Sequence, residues 1–103
     1  MNGENTSPML RGVAEAHEAL REIMEQTPLT RNAFLSERYD AEIYLKREDL
    51  TPVRSYKIRG AFNFFRKAIR DSDSPSLRFV CASAGNHAQG FAFACSHFQK
   101  KGV

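Results

Sequence analysis

Lys57 and Asn86 are the two side chains whose type and setting could do chemistry together. Lys57 lies in Ser55-Tyr56-Lys57-Ile58-Arg59-Gly60, at the start of an amphipathic helical pattern. A lysine amine attacks carbonyls and forms Schiff bases when desolvation or a nearby cation favours its neutral form. Lys46, Arg47, Arg54 and Arg59 are close in sequence, and a helix start adds positive potential. Position and neighbours alone fit a solvated surface lysine equally well. Asn86 lies in Ser83-Ala84-Gly85-Asn86-His87-Ala88-Gln89-Gly90, where a strand-like run meets a helix-like one. The first amides of a helix have no internal partners, and a preceding glycine lets a ligand approach the backbone. Such an end suits a carboxylate or phosphate. The same residues also describe an ordinary strand–helix turn with Asn86 as its cap.

Other candidates are weaker. His17, His87 and His97 lack the spacing of a metal set. Gly85 and Gly90 do not form a dinucleotide fingerprint, because no G-x-G precedes the helix. Glu48-Asp49 reads as an acid pair or, more simply, a solvated loop edge. Phe62, Phe64, Phe65, Phe91 and Phe93 fit a core better than a stacking platform for bases.

The elements that must position these residues follow from periodicity. Residues 1–10 read as a disordered tail and 11–103 as one structural unit. Arg11 to Gln26 is expected to be a helix, with Val13, Ala16, Leu20 and Ile23/Met24 on one face; Thr27-Pro28 ends it. Phe34 to Tyr39 is ambiguous and fits a short helix. Ala41 to Lys46 alternates like a strand with Ile43 and Leu45 on one face, and Asp49 to Arg54 is a loop. Ser55 is the expected cap of a helix striped by Ile58, Ala61/Phe62, Phe65 and Ala68/Ile69. Leu77 to Ala82 reads as a buried strand. A third helix runs from Asn86 or His87 to about Lys101, stopped by Gly102, and Val103 would begin a further strand. Helices alternating with strands imply an α/β fold with a parallel sheet and flanking helices. Both candidate turns then lie at the carboxyl ends of their strands, where open sheets bind ligands.

Composition sets the limits. The 103 residues suffice for one small domain, and 42% hydrophobic with 26% charged residues is ordinary for a globular chain. The net charge of +3 does not by itself argue for nucleic acid. Charge is uneven, with 2 basic and 5 acidic residues in positions 1–26 and 13 basic and 7 acidic after them. A cationic second part suits a small anionic ligand as readily as a phosphate backbone. No apolar run is long enough to span a membrane, and Met1 to Leu10 lacks the order of a secretory signal. Cys81 and Cys95 read as reduced, buried thiols of a cytoplasmic protein.

Three stretches together resemble a known family. Lys46-Arg47-Glu48-Asp49-Leu50, Ser55 to Ala61 and Ser83 to Gly90 are similar, in order and spacing, to the pyridoxal-phosphate enzymes of the tryptophan-synthase-β fold type. Within that group they look most like the threonine dehydratases. The resemblance covers about Thr27 to Val103. It implies pyridoxal 5'-phosphate as cofactor, carried by Lys57. It implies Asn86 on the cofactor's ring hydroxyl, and Tyr56, often phenylalanine in relatives, against the ring. The substrate carboxylate would be held by Ser83, Ala84, Gly85, Asn86 and His87.

The implied reaction removes the Cα proton of threonine through Lys57 and expels the β-hydroxyl. It yields 2-oxobutanoate and ammonia, the first step towards isoleucine and hence of branched-chain amino-acid biosynthesis; serine would give pyruvate. Cysteine synthases differ in the lysine motif and carry Thr-Gly after the asparagine. Serine racemases carry a serine where this chain has Ala84, which favours elimination. The family's phosphate-binding glycine loop lies beyond Val103. The expectation is therefore an N-terminal part of the catalytic domain, inactive alone, from a cytoplasmic homo-oligomer that contacts neither nucleic acid nor membrane. The remaining alternatives are a serine dehydratase or racemase-like enzyme and a non-catalytic α/β module that binds an anion.

Overall fold

A serine followed by proline starts the first helix. In the computed structural model, which describes residues 7–103, Ser7 Oγ accepts a hydrogen bond from Leu10 N at 3.2 Å and Pro8 fills the first helical position. Helix α1 spans Pro8–Leu20, three residues earlier than its apolar stripe suggested and six residues shorter at its end. Part of the expected tail is therefore helical, and Met1–Thr6 lie outside the described residues. Leu20 is buried, but Val13 on the expected inner face is exposed.

Strand β1 (Leu29–Arg31), helix α2 (Ala33–Arg38) and strand β2 (Tyr44–Lys46) follow, then a single 3-10 turn at Glu48–Leu50. β1 was not expected. It pairs antiparallel with β2, Leu29 facing Lys46 and Arg31 facing Tyr44. β2 is shorter than the alternating run, and Leu45 is exposed while Ile43 is half-buried. Asn32 caps α2, accepting from Leu35 N at 2.8 Å.

Helix α3 (Lys57–Arg70) places Ile58, Ala61, Phe62 and Phe65 on its buried face, as the stripe predicts. Strand β3 (Arg78–Phe79), helix α4 (Asn86–Phe98) and strand β4 (Lys101–Gly102) complete the chain. β3 pairs parallel with β4. The two strands expected to share one parallel sheet, at 41–46 and 77–82, instead lie in separate two-stranded sheets, the first antiparallel and the second parallel. α4 ends at Phe98 because Gln99 turns left-handed, with φ 53° and ψ 47°. Gly102 does not stop the helix. It lies in β4, where a Cβ would come within 2.5 Å of Cys95 Sγ and 2.6 Å of the Phe91 ring.

The core lies between α3, α4 and β3. Phe65 stacks on Phe79 with ring centroids 3.8 Å apart, meets Phe91 edge-on at 5.5 Å, and packs with Ala94. Phe62 packs on Phe98 at 5.1 Å and against the His97 ring at 5.3 Å. Phe64, grouped with the core in the sequence, is exposed. Cys81 and Cys95 are free and half-buried, and burial pushes the Cys95 thiol up, with a smaller contribution from Cys81. No helix among the described residues is long and apolar enough to cross a membrane.

Candidate active site

Lys57 is the first residue of α3. The loop before it is turned by Arg54 in a left-handed conformation, φ 63°. That conformation costs a non-glycine residue about 1 kcal/mol and persists only where the surroundings hold it. What holds it is a turn in which Thr51 Oγ1 accepts from Ser55 N at 3.0 Å and donates to Ser55 O at 2.7 Å, both residues being buried. Ser55 is not the cap expected. Tyr56 takes the cap position without a side-chain bond, and Ser55 Oγ reaches Lys57 N only at 3.4 Å.

The Lys57 side chain is half-buried, and its Nζ sits 5.0 Å from the centroid of the Tyr56 ring. No carboxylate or hydrogen-bond acceptor holds that amine among the described residues. Tyr56 itself is exposed, one face against the amine. The amine is therefore available to an electrophile that lies along the Tyr56 ring.

The second stretch meets the first through Gly90. A Cβ on Gly90 would lie 3.1 Å from Lys57 O, 3.2 Å from Lys57 C and 3.3 Å from Ile58 N. The glycine lets the second turn of α4 press on the peptide that follows Lys57. Asn86 opens α4 one turn earlier. Ser83 Oγ accepts from Gly85 N at 3.3 Å and from Ala88 N at 3.2 Å, so its oxygen already serves the turn. The amides of Asn86 and His87 have no protein acceptor among the described residues, as expected for the first turn of a helix. Ser83, Ala84, Gly85, Asn86 and His87 are all exposed, and a Cβ added at Gly85 would touch nothing. No hydrogen bond joins Lys57 to Asn86. His87 also lines a groove of about 320 Å³ with Gly60, Phe64, Val80 and Phe91.

Sequence reasoning missed the strongest electrostatic feature. Glu48 is not a solvated loop edge or half of an acid pair. Arg59 donates to it through Nε at 2.7 Å and Nη2 at 2.8 Å, a bidentate fork. Thr27 Oγ1 donates to the same carboxylate, and Lys46 Nζ donates to Thr27 O at 2.6 Å. The Arg59 fork, helped by Thr27 and by Lys46 nearby, pulls the Glu48 carboxyl down to about 2 against the opposing effect of burial. Asp49 turns instead to Arg47. The only hint in the sequence was that Glu48 and Arg59 fall inside two of the three motifs.

An amine without a hydrogen-bond partner, an aromatic face, a carboxamide and two unclaimed amides suit a cofactor with an aldehyde, an aromatic ring, a ring oxygen and an anionic partner. The residues present fit pyridoxal phosphate in these respects.

Comparison with known proteins points the same way. The profile of the family described as "Pyridoxal-phosphate dependent enzyme" matches residues 20–103. The chain is 48% identical over 94 residues to L-threonine dehydratase biosynthetic IlvA of Bacillus subtilis, covering 91% of this chain and 22% of that protein. Among solved structures, the threonine deaminase of T.th. superposes with a TM-score of 0.75 at 30% identity, covering 91% of this chain and 32% of that one. The processed form of threonine deaminase isoform 2 from Solanum lycopersicum gives 0.75 at 29% identity, covering 97% and 27%. The chain thus spans about a fifth of the length of the curated relatives it matches.

Proposed function

The chain belongs to the pyridoxal-phosphate dependent enzymes, and from that premise we propose that its complete gene product converts L-threonine to 2-oxobutanoate and ammonia. The observation that carries this is half-buried Lys57, whose amine has no acidic partner and lies beside the Tyr56 ring. That the relatives are biosynthetic threonine dehydratases and a threonine deaminase supports the choice of substrate and the biosynthetic reading.

Lys57 would hold the cofactor through its amine, Tyr56 would lie along the ring, and Asn86 would meet the ring oxygen. When bound, pyridoxal phosphate supplies an electron sink for charge that develops at the substrate Cα. The chain's own residues do the rest. The amides of Asn86 and His87, at the positive end of α4, bind the substrate carboxylate, with Ser83, Ala84 and Gly85 forming the turn around it. The Lys57 amine, freed once the substrate amine has taken its place, takes the Cα proton, the β-hydroxyl leaves with a proton as water, and hydrolysis then releases 2-oxobutanoate and ammonia. The one hydroxyl in the turn, Ser83, already accepts from Gly85 N and Ala88 N. Ala84 has none to offer, which supports elimination over racemisation. Serine, lacking only the methyl group, is the expected second substrate.

The enzyme is proposed to work as a cytoplasmic homo-oligomer without nucleic acid. The net charge of +3 is too small to favour a phosphate backbone, and the basic residues are spread over several elements instead of forming one patch. Lys57→Ala in the complete gene product tests the assignment. Threonine-dependent 2-oxobutanoate formation should fall by about 10³-fold or more, and pyridoxal phosphate should no longer be retained. Unchanged turnover would refute it, and intact anion binding without any turnover in the wild type would favour the binding module.

A further inference from the structure

Taking Lys57 as the cofactor-bearing residue, we propose that Arg59, Glu48 and Thr27 are positioning residues that, together with Gly90, clamp the first turn of α3 and set where the Lys57 amine points. The start of α3 needs such a device. It has no side-chain cap, and its first turn closes with a three-residue, 3-10-type bond from Arg59 N to Tyr56 O at 3.0 Å. The residue before Ser55 is in a left-handed conformation. A helix start left in that condition frays, and a side chain on its first residue moves with it.

Two contacts act on this turn from different elements. On one side Gly90 brings α4 against the carbonyl of Lys57. Elsewhere on the turn, Arg59, two residues beyond Lys57, is forked to Glu48 on the 3-10 turn. Glu48 is tied in turn to Thr27, whose carbonyl is held by Lys46 at the end of β2. The bridge is partly sheltered: the Arg59 and Glu48 side chains keep 32% and 21% of their exposure, so solvent screens it less than the outer ion pairs. Its two parallel bonds fix the direction of the Arg59 side chain as well as its distance. The chain leading into the turn is fastened separately by Thr51 and Ser55. Since no hydrogen bond holds the Lys57 amine, its aim depends on the backbone that carries it.

The test uses the complete gene product in cofactor-free and cofactor-loaded forms, with Glu48→Gln, the milder Glu48→Asp, Arg59→Lys and the exchange Glu48→Arg/Arg59→Glu. Acylation of Lys57 by acetic anhydride is read by peptide mass spectrometry relative to Lys67 of the same helix, without cofactor. Pyridoxal phosphate retention and hydrogen exchange along α3 are measured in parallel. The expected result is a changed Lys57-to-Lys67 labelling ratio and cofactor retention weakened by about tenfold or more. Amides from Phe62 to Ile69 should keep their protection. Arg59→Lys should behave like Glu48→Gln, because an ammonium keeps the charge but loses the fork, and the exchange should recover part of the labelling ratio.

An unchanged labelling ratio in Glu48→Gln and Glu48→Asp would overturn the proposal. So would loss of protection along the whole of α3 in both, which would make the bridge a general support. A wild type that never retains pyridoxal phosphate would sink the functional assignment instead. The cofactor-free labelling would still decide whether the bridge aims the lysine.

Discussion

From Arg21 to Lys57 every buried side chain among the described residues carries a hydroxyl: Thr27, Ser36, Thr51 and Ser55. From Ile58 onward the buried residues are Ile58, Ala61, Phe62, Phe65, Phe79, Gly90 and Ala94, with no polar side chain among them. Each buried hydroxyl of the first region has a partner. Ser36 Oγ, for example, accepts from Ile43 N at 3.0 Å and donates to Ile43 O at 3.4 Å. The second region is held by apolar burial, which is nondirectional and indifferent to pH. The first is held by bonds that work only at set distances and angles. Lys57 sits at the seam, its helix anchored in the aromatic core and its first turn tied to the polar network. The difference suggests a division of labour: apolar packing holds α3 and α4 together, and the directional network fixes how the reactive end of α3 is presented.

The largest effect should come from the aromatic side. Phe65→Ala removes a ring that is 2% exposed and stacked on Phe79. Opening of α3 and α4 amides, followed by hydrogen exchange in the complete gene product, should become easier by about 3–5 kcal/mol. The amides of β1 and β2 should respond much less. Equal loosening of both regions would show that they form one cooperative unit and dissolve the contrast.

A smaller effect, with a pH signature, should come from the polar side. The folded Glu48 carboxyl is depressed from 4.5 to about 2. A depressed carboxylate contributes stability that is fully present above its unfolded value and is lost as pH falls through its folded value. Glu48→Gln should therefore loosen β1 and β2 by about 2 kcal/mol near neutrality, once solvent screening of the partly open bridge is allowed for. The gap between variant and wild type should shrink from about pH 4.5 downward and close near pH 2. A gap independent of pH would mean that shape, and not charge, made Glu48 matter.

The two regions also differ in how far they could be read from the sequence. The stripe Ile58, Ala61/Phe62, Phe65 recurs at helical spacing, so α3 and its buried face were legible. The Asn86 turn was legible for the same reason, since a strand-like run, a glycine and a periodic run follow one another. β1 was not, because its three residues are all exposed and exist as a strand only through pairing with β2. Nor was the Glu48–Arg59 bridge, which joins residues 11 apart across a loop and leaves no periodic trace. The start of α1 was missed because Ser7-Pro8 lies in a polar run that resembles a tail. The place of Gly102 depends on how closely β4 approaches Cys95 and Phe91, a tertiary fact. Apolar cores repeat in sequence, whereas directional networks are assembled by topology, so family motifs pointed to Glu48 and Arg59 without explaining them.

The smallest expected effect separates geometry from charge within the polar region. Arg31 and Glu42 form a two-bond pair across β1 and the residues before β2, at 2.9 and 3.1 Å, much as Arg59 and Glu48 do. The bond to Arg31 lowers the Glu42 carboxyl and raises the guanidinium, as in the inner bridge. The setting differs, since these side chains keep 45% and 68% of their exposure and the outer pair has no third partner like Thr27. Water competes for both ions, and ordering two long side chains offsets what the pair gains. Arg31→Met should therefore leave hydrogen exchange in β1 and β2 unchanged within error, at low and at high salt. It should also leave the Lys57-to-Lys67 labelling ratio where it is. If Arg31→Met loosened the region as Glu48→Gln does, the polar half would depend on its total charge, and the sheltered fork on Arg59 would lose its special place.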